Sequence, residues 1–68
     1  MRYIIMLQRY NGDIMFWNVN EKAFLNVLTM GCMNHFAVDA ENQLKDPALI
    51  ALNQGSYAGK LGIIPTTL

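Results

Sequence analysis

The sequence is short of charge, holds one cysteine and two prolines, and has no long apolar run; each shortage removes a class of protein. Only 15% of its 68 residues are charged, five basic against five acidic, for a formal net charge of zero. Arg2, Arg9, Lys22, Lys45 and Lys60 stand far apart, with no polybasic run. Binding nucleic acid by phosphate neutralisation needs clustered cations, so neither nucleic acid nor an anionic membrane is the expected main partner. The lone Cys32 rules out an intramolecular disulfide framework and fits a reducing compartment, which makes the cytoplasm the expected location. The longest apolar run, Pro47 to Leu52, falls far short of the roughly 20 residues that span a bilayer. Arg2 followed by Tyr3 to Leu7 is too short for the apolar region of a signal peptide, and no small-residue cleavage site follows, so export is not expected. Repeats, low-complexity stretches and Pro/Ser-rich linkers are also missing, so residues 1–68 read as a single domain.

What is present in quantity is apolar side chain, at 53% of the residues. A chain this short buries only about 60% of the surface its unfolded form exposes. The excess points to a contact with a second copy or with another protein. The strongest local signal is Asn11-Gly12, set between Arg2 to Tyr10 and Asp13 to Val19, both rich in β-branched, aromatic and aliphatic residues. It predicts a hairpin with a two-residue type I′ turn, which needs positive φ at both central positions. That turn sets Tyr10 opposite Asp13, Leu7 opposite Phe16 and Met6 opposite Trp17. One face would then carry Tyr3, Ile5, Leu7, Ile14 and Phe16, the other Ile4, Met6, Met15, Trp17 and Val19. Both are apolar, so both expect cover.

Beyond the hairpin, Asn18 or Asn20 is a fitting cap for a helix reaching about Met30, with Glu21 in its first turn, Phe24, Val27 and Leu28 as its stripe, and Gly31 as its stop. A second, shorter helix is signalled by Asp46 as N-cap, Pro47 at the first helical position, the run Ala48 to Leu52, and Gly55 past the end. Met33 to Val38 reads as a third strand, and Tyr57 to Ile64 as a fourth that Pro65 terminates. The expected class is α+β, a small antiparallel sheet opened by the hairpin and packed with two short helices, in the approximate order β-β-α-β-α-β.

Few residues suggest chemistry. Cys32, His35, Asp39 and Glu41 form the densest cluster of reactive types, but a structural zinc site wants four ligands, often in paired Cys or His units, and the chain owns one of each. No metal is expected. A Cys32 nucleophile with His35 as base needs a positively charged or helix N-terminal setting, whereas the predicted first helix ends just before Cys32 and would disfavour the thiolate. Gly55-Ser56-Tyr57-Ala58-Gly59-Lys60 has the outline of a phosphate loop, yet it is one residue short between glycines, has Leu61 where Ser or Thr would hold magnesium, and follows a helix instead of a strand. No cofactor is expected, and no catalytic residue is assigned. The acids Asp13, Glu21, Asp39, Glu41 and Asp46 sit where turns and caps want them.

The residues that stand out are those suited to contact: Ile4, Met6, Met15 and Trp17 on one predicted face, with Tyr10 at its end. Trp and Tyr dominate interface energetics, and Met adapts to irregular surfaces. The pattern reads as a non-enzymatic protein-binding module of inhibitor or adaptor type, homodimeric, that occupies a surface of a larger cytoplasmic partner. Two alternatives stay open. One is a small-molecule pocket or small enzyme site between subunits, with His35, Tyr57 or Lys60 supplying polar contacts. The other is a single-stranded nucleic-acid binder that stacks bases on Tyr3, Tyr10 and Trp17 beside Arg9.

Overall fold

Strand β1, Arg2–Arg9, is the organising element, and in the computed structural model, which describes residues 2–55 and 57–66, it is paired on both edges. Along one edge runs β5, Gly59–Thr66, antiparallel over the full length from Arg2 opposite Thr66 to Arg9 opposite Gly59. The other edge is divided. Strand β2, Ile14–Asn18, takes Met6 to Gln8, and the two-residue β4, Ala37–Val38, takes Tyr3 and Ile4. Strand β3, Ala23–Leu25, adds to the far side of β2. A two-turn 3-10 segment, Met30–His35, kinks at Cys32 and leads into β4. Helices α1, Ala40–Leu44, and α2, Pro47–Gln54, complete an α+β fold with a curled, five-stranded antiparallel sheet. No helix among the described residues is long and apolar enough to cross a membrane.

The hairpin falls where Asn11-Gly12 puts it, but its turn differs from the expected one. Arg9 N–H donates to the Asp13 carbonyl at 2.9 Å, and Gly12 N–H donates to the Arg9 carbonyl at 3.0 Å. The loop is therefore three residues, Tyr10 to Gly12. Only Gly12 has positive φ, at +97°, whereas type I′ would require it of Asn11 too. The Asn11 side chain instead accepts the Asp13 N–H at 3.0 Å, a local turn that asparagine favours. Register shifts by one residue as a result, to Met6 opposite Phe16, Leu7 opposite Met15 and Gln8 opposite Ile14. A one-residue slip exchanges the faces of the second strand. Ile5 and Leu7 thus share a face with Met15 and Trp17, while Met6 shares one with Ile14 and Phe16, which corrects both expected faces.

The helix expected from Asn18 or Asn20 to Met30 is not formed, and Gly31 ends no helix. The capping chemistry is nevertheless in place: buried Asn18 accepts the N–H groups of Asn20 and Glu21 through its Oδ1, each at 2.9 Å. Lys22 then adopts φ of 54°, which turns the chain back into β3. Phe24 gains more there than on a helix stripe, because it meets the Trp17 ring edge-on, with centroids 5.1 Å apart. Of the strand expected over Met33 to Val38, Met33 to His35 are 3-10 and only Ala37 and Val38 are strand. The α2 signals all hold: Asp46 caps through Ala48 N–H at 2.9 Å, Pro47 opens the helix, and Gly55 follows it. The last strand also forms, but Pro65 lies inside it, opposite Tyr3.

Both helices cover the same side of the sheet. That inner face brings Ile5 and Leu7 together with Trp17, Phe24 and Val38, roofed by Leu49 of α2 and flanked by Leu44, Ala48 and Leu52. The turn between β2 and β3 is tied to α2 by Lys22 Nζ, which lies 2.8 Å from Asp46 Oδ2. The Lys22 ammonium first, and the Ala48 N–H second, hold the Asp46 carboxyl below its usual range. A lowered pKa means the contribution of Asp46 is fully present above the ordinary carboxylate range and is lost as pH falls through the lowered value. Acid unfolding followed by circular dichroism should show this loss, and Asp46→Asn, which keeps a capping oxygen but no charge, should flatten the acid-side dependence.

Two glycines of β5 make a second test. A Cβ at Gly59 would lie 2.5 Å from the Gln8 carbonyl oxygen, a backbone atom that cannot step aside, whereas at Gly62 it would meet only the flexible Met6 Cε at 3.3 Å. Gly59→Ala should cost about 1–3 kcal/mol in denaturant unfolding, as overpacking does. Gly62→Ala should change stability by less than about 1 kcal/mol.

Candidate functional site

The slip in register separates the five residues expected to form one contact face. Trp17 is 0% exposed, in the centre of the inner core, and its indole Nε1 donates to Gln43 Oε1 of α1 at 3.0 Å. Met15 packs against the same core. Both point under the helices. Ile4 and Met6 belong to the opposite, outer face; Ile4 is buried and Met6 half-buried. Tyr10 sits in the hairpin loop, 90% exposed.

The outer face is built from neighbouring strands in register. A row runs across four of them: Leu25 of β3, Phe16 of β2, Met6 of β1 and Gly62 of β5. Met6 lies across the bare Cα of Gly62, so a thioether chain fills what a side chain would otherwise occupy. Ile64, opposite Ile4, and Ile14, opposite Gln8, lie to either side of this row and are 38% and 46% exposed. One end of the face is closed, since Asn18, Ile4 and Ala37 are buried there. Toward the hairpin it stays open, rimmed by exposed Gln8 and Lys60.

Ile14, Phe16 and Ile64 were not among the expected contact residues, because the type I′ register assigned Ile14 and Phe16 to the face of Ile5 and Leu7. A three-residue loop with glycine in its left-handed position is the signal that would have found them. Alternation could not, because both strands are apolar on both sides.

The residues of the alternative readings are dispersed. Tyr57 packs edge-on to Phe24 with centroids 5.9 Å apart and receives the Arg9 guanidinium 5.6 Å from its ring centre. His35 ends the 3-10 segment half-buried, its carbonyl accepting the Val19 N–H at 2.8 Å. Lys60 projects from β5, exposed. No ligand-sized cavity joins them among the described residues. Base stacking on Trp17 is closed off by its burial. Asp39 caps α1 through Glu41 N–H at 3.1 Å, and Glu41 reaches Lys45 at 3.9 Å. Cys32 lies half-buried at the 3-10 kink, not behind a helix end. Among the described residues, no three His, Cys, Asp or Glu side chains gather closely enough to hold a metal ion. Of the phosphate-loop outline, Gly55 closes α2, Gly59 and Lys60 belong to β5, and Ser56 lies outside the described residues.

A core role for Trp17 predicts a different mutant from a contact role. Trp17→Ala should cost about 3–5 kcal/mol, comparable with the whole stability of so small a fold, about 3–10 kcal/mol. Because Trp17 is the only tryptophan, its fluorescence should resist iodide quenching in the native protein and become accessible in denaturant; free quenching in the native state would contradict its placement. No protein-family model, curated protein or solved structure matches this chain.

Proposed function

We propose that this chain is a non-enzymatic protein-binding module that uses the outer face of its sheet, works as a homodimer, and occupies a surface of a larger cytoplasmic partner in the manner of an inhibitor or adaptor. One observation carries the reading. The side of the sheet opposite the helices presents Met6 and Phe16, with Ile14 and Ile64 to either side of their row, as a partly open apolar patch rimmed by Gln8 and Lys60. Such an arrangement of apolar centre and polar edge is what protein interfaces use. The adaptable Met6 and the fully exposed Tyr10 beside the open end are residue types enriched in contacts.

Ile14→Glu tests this directly, since Ile14 is exposed, takes no part in the core, and lies at the open, hairpin end of the face beside Gln8. Wild-type protein and the variant, each immobilised, are challenged with the same lysate of the native host. A protein retained by the wild type and lost from the variant is the expected result. Identical retention on both columns would overturn the reading.

A further inference from the structure

Among the described residues no strand pairs with the outward edge of β5, and the hydrogen bonds of the hairpin fix which of its groups face out. Arg9 directs both its N–H and its carbonyl toward the β2 side, to Asp13 at 2.9 Å and Gly12 at 3.0 Å. Along an extended strand these groups alternate between the two edges, so Tyr3, Ile5, Leu7 and Arg9 face β2 and β4, and Arg2, Ile4, Met6 and Gln8 face β5. The residues of β5 opposite the first set are Pro65, Ile63, Leu61 and Gly59. Their backbone groups therefore point away from the sheet. Pro65, which has no N–H to give, falls within this outward set, the edge position where proline costs no ladder bond. Among the described residues β1 is the only strand paired with β5, so no strand lies on the outward side to accept from the N–H of Gly59, Leu61 or Ile63. Ile63 and Ile64 are exposed beside this edge.

We propose that β5 pairs antiparallel with β5 of a second copy, with Leu61 on the two-fold axis, so that two sheets join into one. This deepens the protein-binding reading above and rests on it. In that register Leu61 meets its own copy and Gly59 meets Ile63 in both directions, so all three outward N–H groups of each chain find a carbonyl. The Ile63 side chain lies over a residue with no side chain, and Lys60 falls opposite Gly62 and not opposite its own copy, which keeps like charges apart. Neighbouring registers fit worse. An axis at Gly62 sets Gly59 against Pro65, and an axis at Ile63 sets Leu61 against Pro65, each leaving a carbonyl without its donor; an axis at Lys60 moves Ile63 past the start of the strand. The other free edge, β3, has three residues and begins beside the left-handed Lys22, too little for a ladder. The edge is blunted only near its ends, by Lys60 and Pro65. A two-fold axis through antiparallel strands stands perpendicular to the sheet. The outer faces of both copies would therefore lie on one side and double the open apolar surface.

Sedimentation equilibrium of the full chain should give twice the chain mass, and Ile63→Pro, which removes an outward donor and no internal one, should give a monomer with an unchanged circular dichroism spectrum. Hydrogen exchange by nuclear magnetic resonance on the wild type gives a readout independent of any variant. The amides of Gly59, Leu61 and Ile63 should slow at least tenfold as concentration rises toward about 1 mM. A wild type that stays monomeric over that range, or a dimer in which these three amides exchange freely, would overturn the pairing. The two readings fail separately: a monomer that still retains a protein sensitive to Ile14→Glu removes the strand pairing alone, and a dimer with protected amides that retains nothing removes the partner reading alone.

Discussion

The hydrogen bond from Arg9 N–H to the Asp13 carbonyl is the interaction on which the remaining structure turns. By closing a three-residue loop in place of a two-residue one, it sets the parity of β2 against β1 and so decides which apolar residues share a side. It also orients every backbone group of β1, because alternation along a strand leaves no freedom once one residue is fixed. The division of labour follows: the even residues of β1 hold β5, while the odd ones hold β2 and, further along, β4.

From that parity come two unequal faces. The inner one gathers Trp17, Phe24, Ile5 and Leu7 and is large enough to need both helices as cover. Trp17 is its anchor in two senses, as the largest buried side chain and as the donor that reaches Gln43 of α1. A buried indole with a satisfied N–H costs nothing in unpaired polar groups. With the helices committed to that side, the outer face has only its own strands and the approach to β4 to protect it. The chain is 53% apolar, and among the described residues no further helix lies over the outer face; the open row around Met6 is the consequence.

Much of this was legible in the amino acids, and what was not has identifiable physical causes. Asp46, Pro47 and Gly55 act within one helix turn of where they stand, so α2 could be read locally. The hairpin was visible in Asn11-Gly12 as a place, but its register was not, since strands apolar on both sides fit either parity. The segment from Asn18 to Met30 was misread because its local signals are real: Asn18 does accept two successive N–H groups as a helix cap would. What overrides them is a cross-strand contact, the Trp17 ring against Phe24. The expected contact set failed as a set for the same reason as the register. Met6 kept its place on an open face, while Trp17, the residue with the greatest intrinsic value in an interface, went to the core.

The cross-strand distance between α-protons reads the register without reference to any side chain. In antiparallel strands, directly opposed residues that exchange no hydrogen bonds bring their α-protons together, because their Cα atoms approach to about 4.5 Å. Nuclear Overhauser spectra should therefore connect the α-protons of Gln8 with Ile14 and of Met6 with Phe16. Connections between Leu7 and Phe16, or between Arg9 and Ile14, the non-hydrogen-bonded pairs of a two-residue turn, would restore that turn and contradict the account at its base.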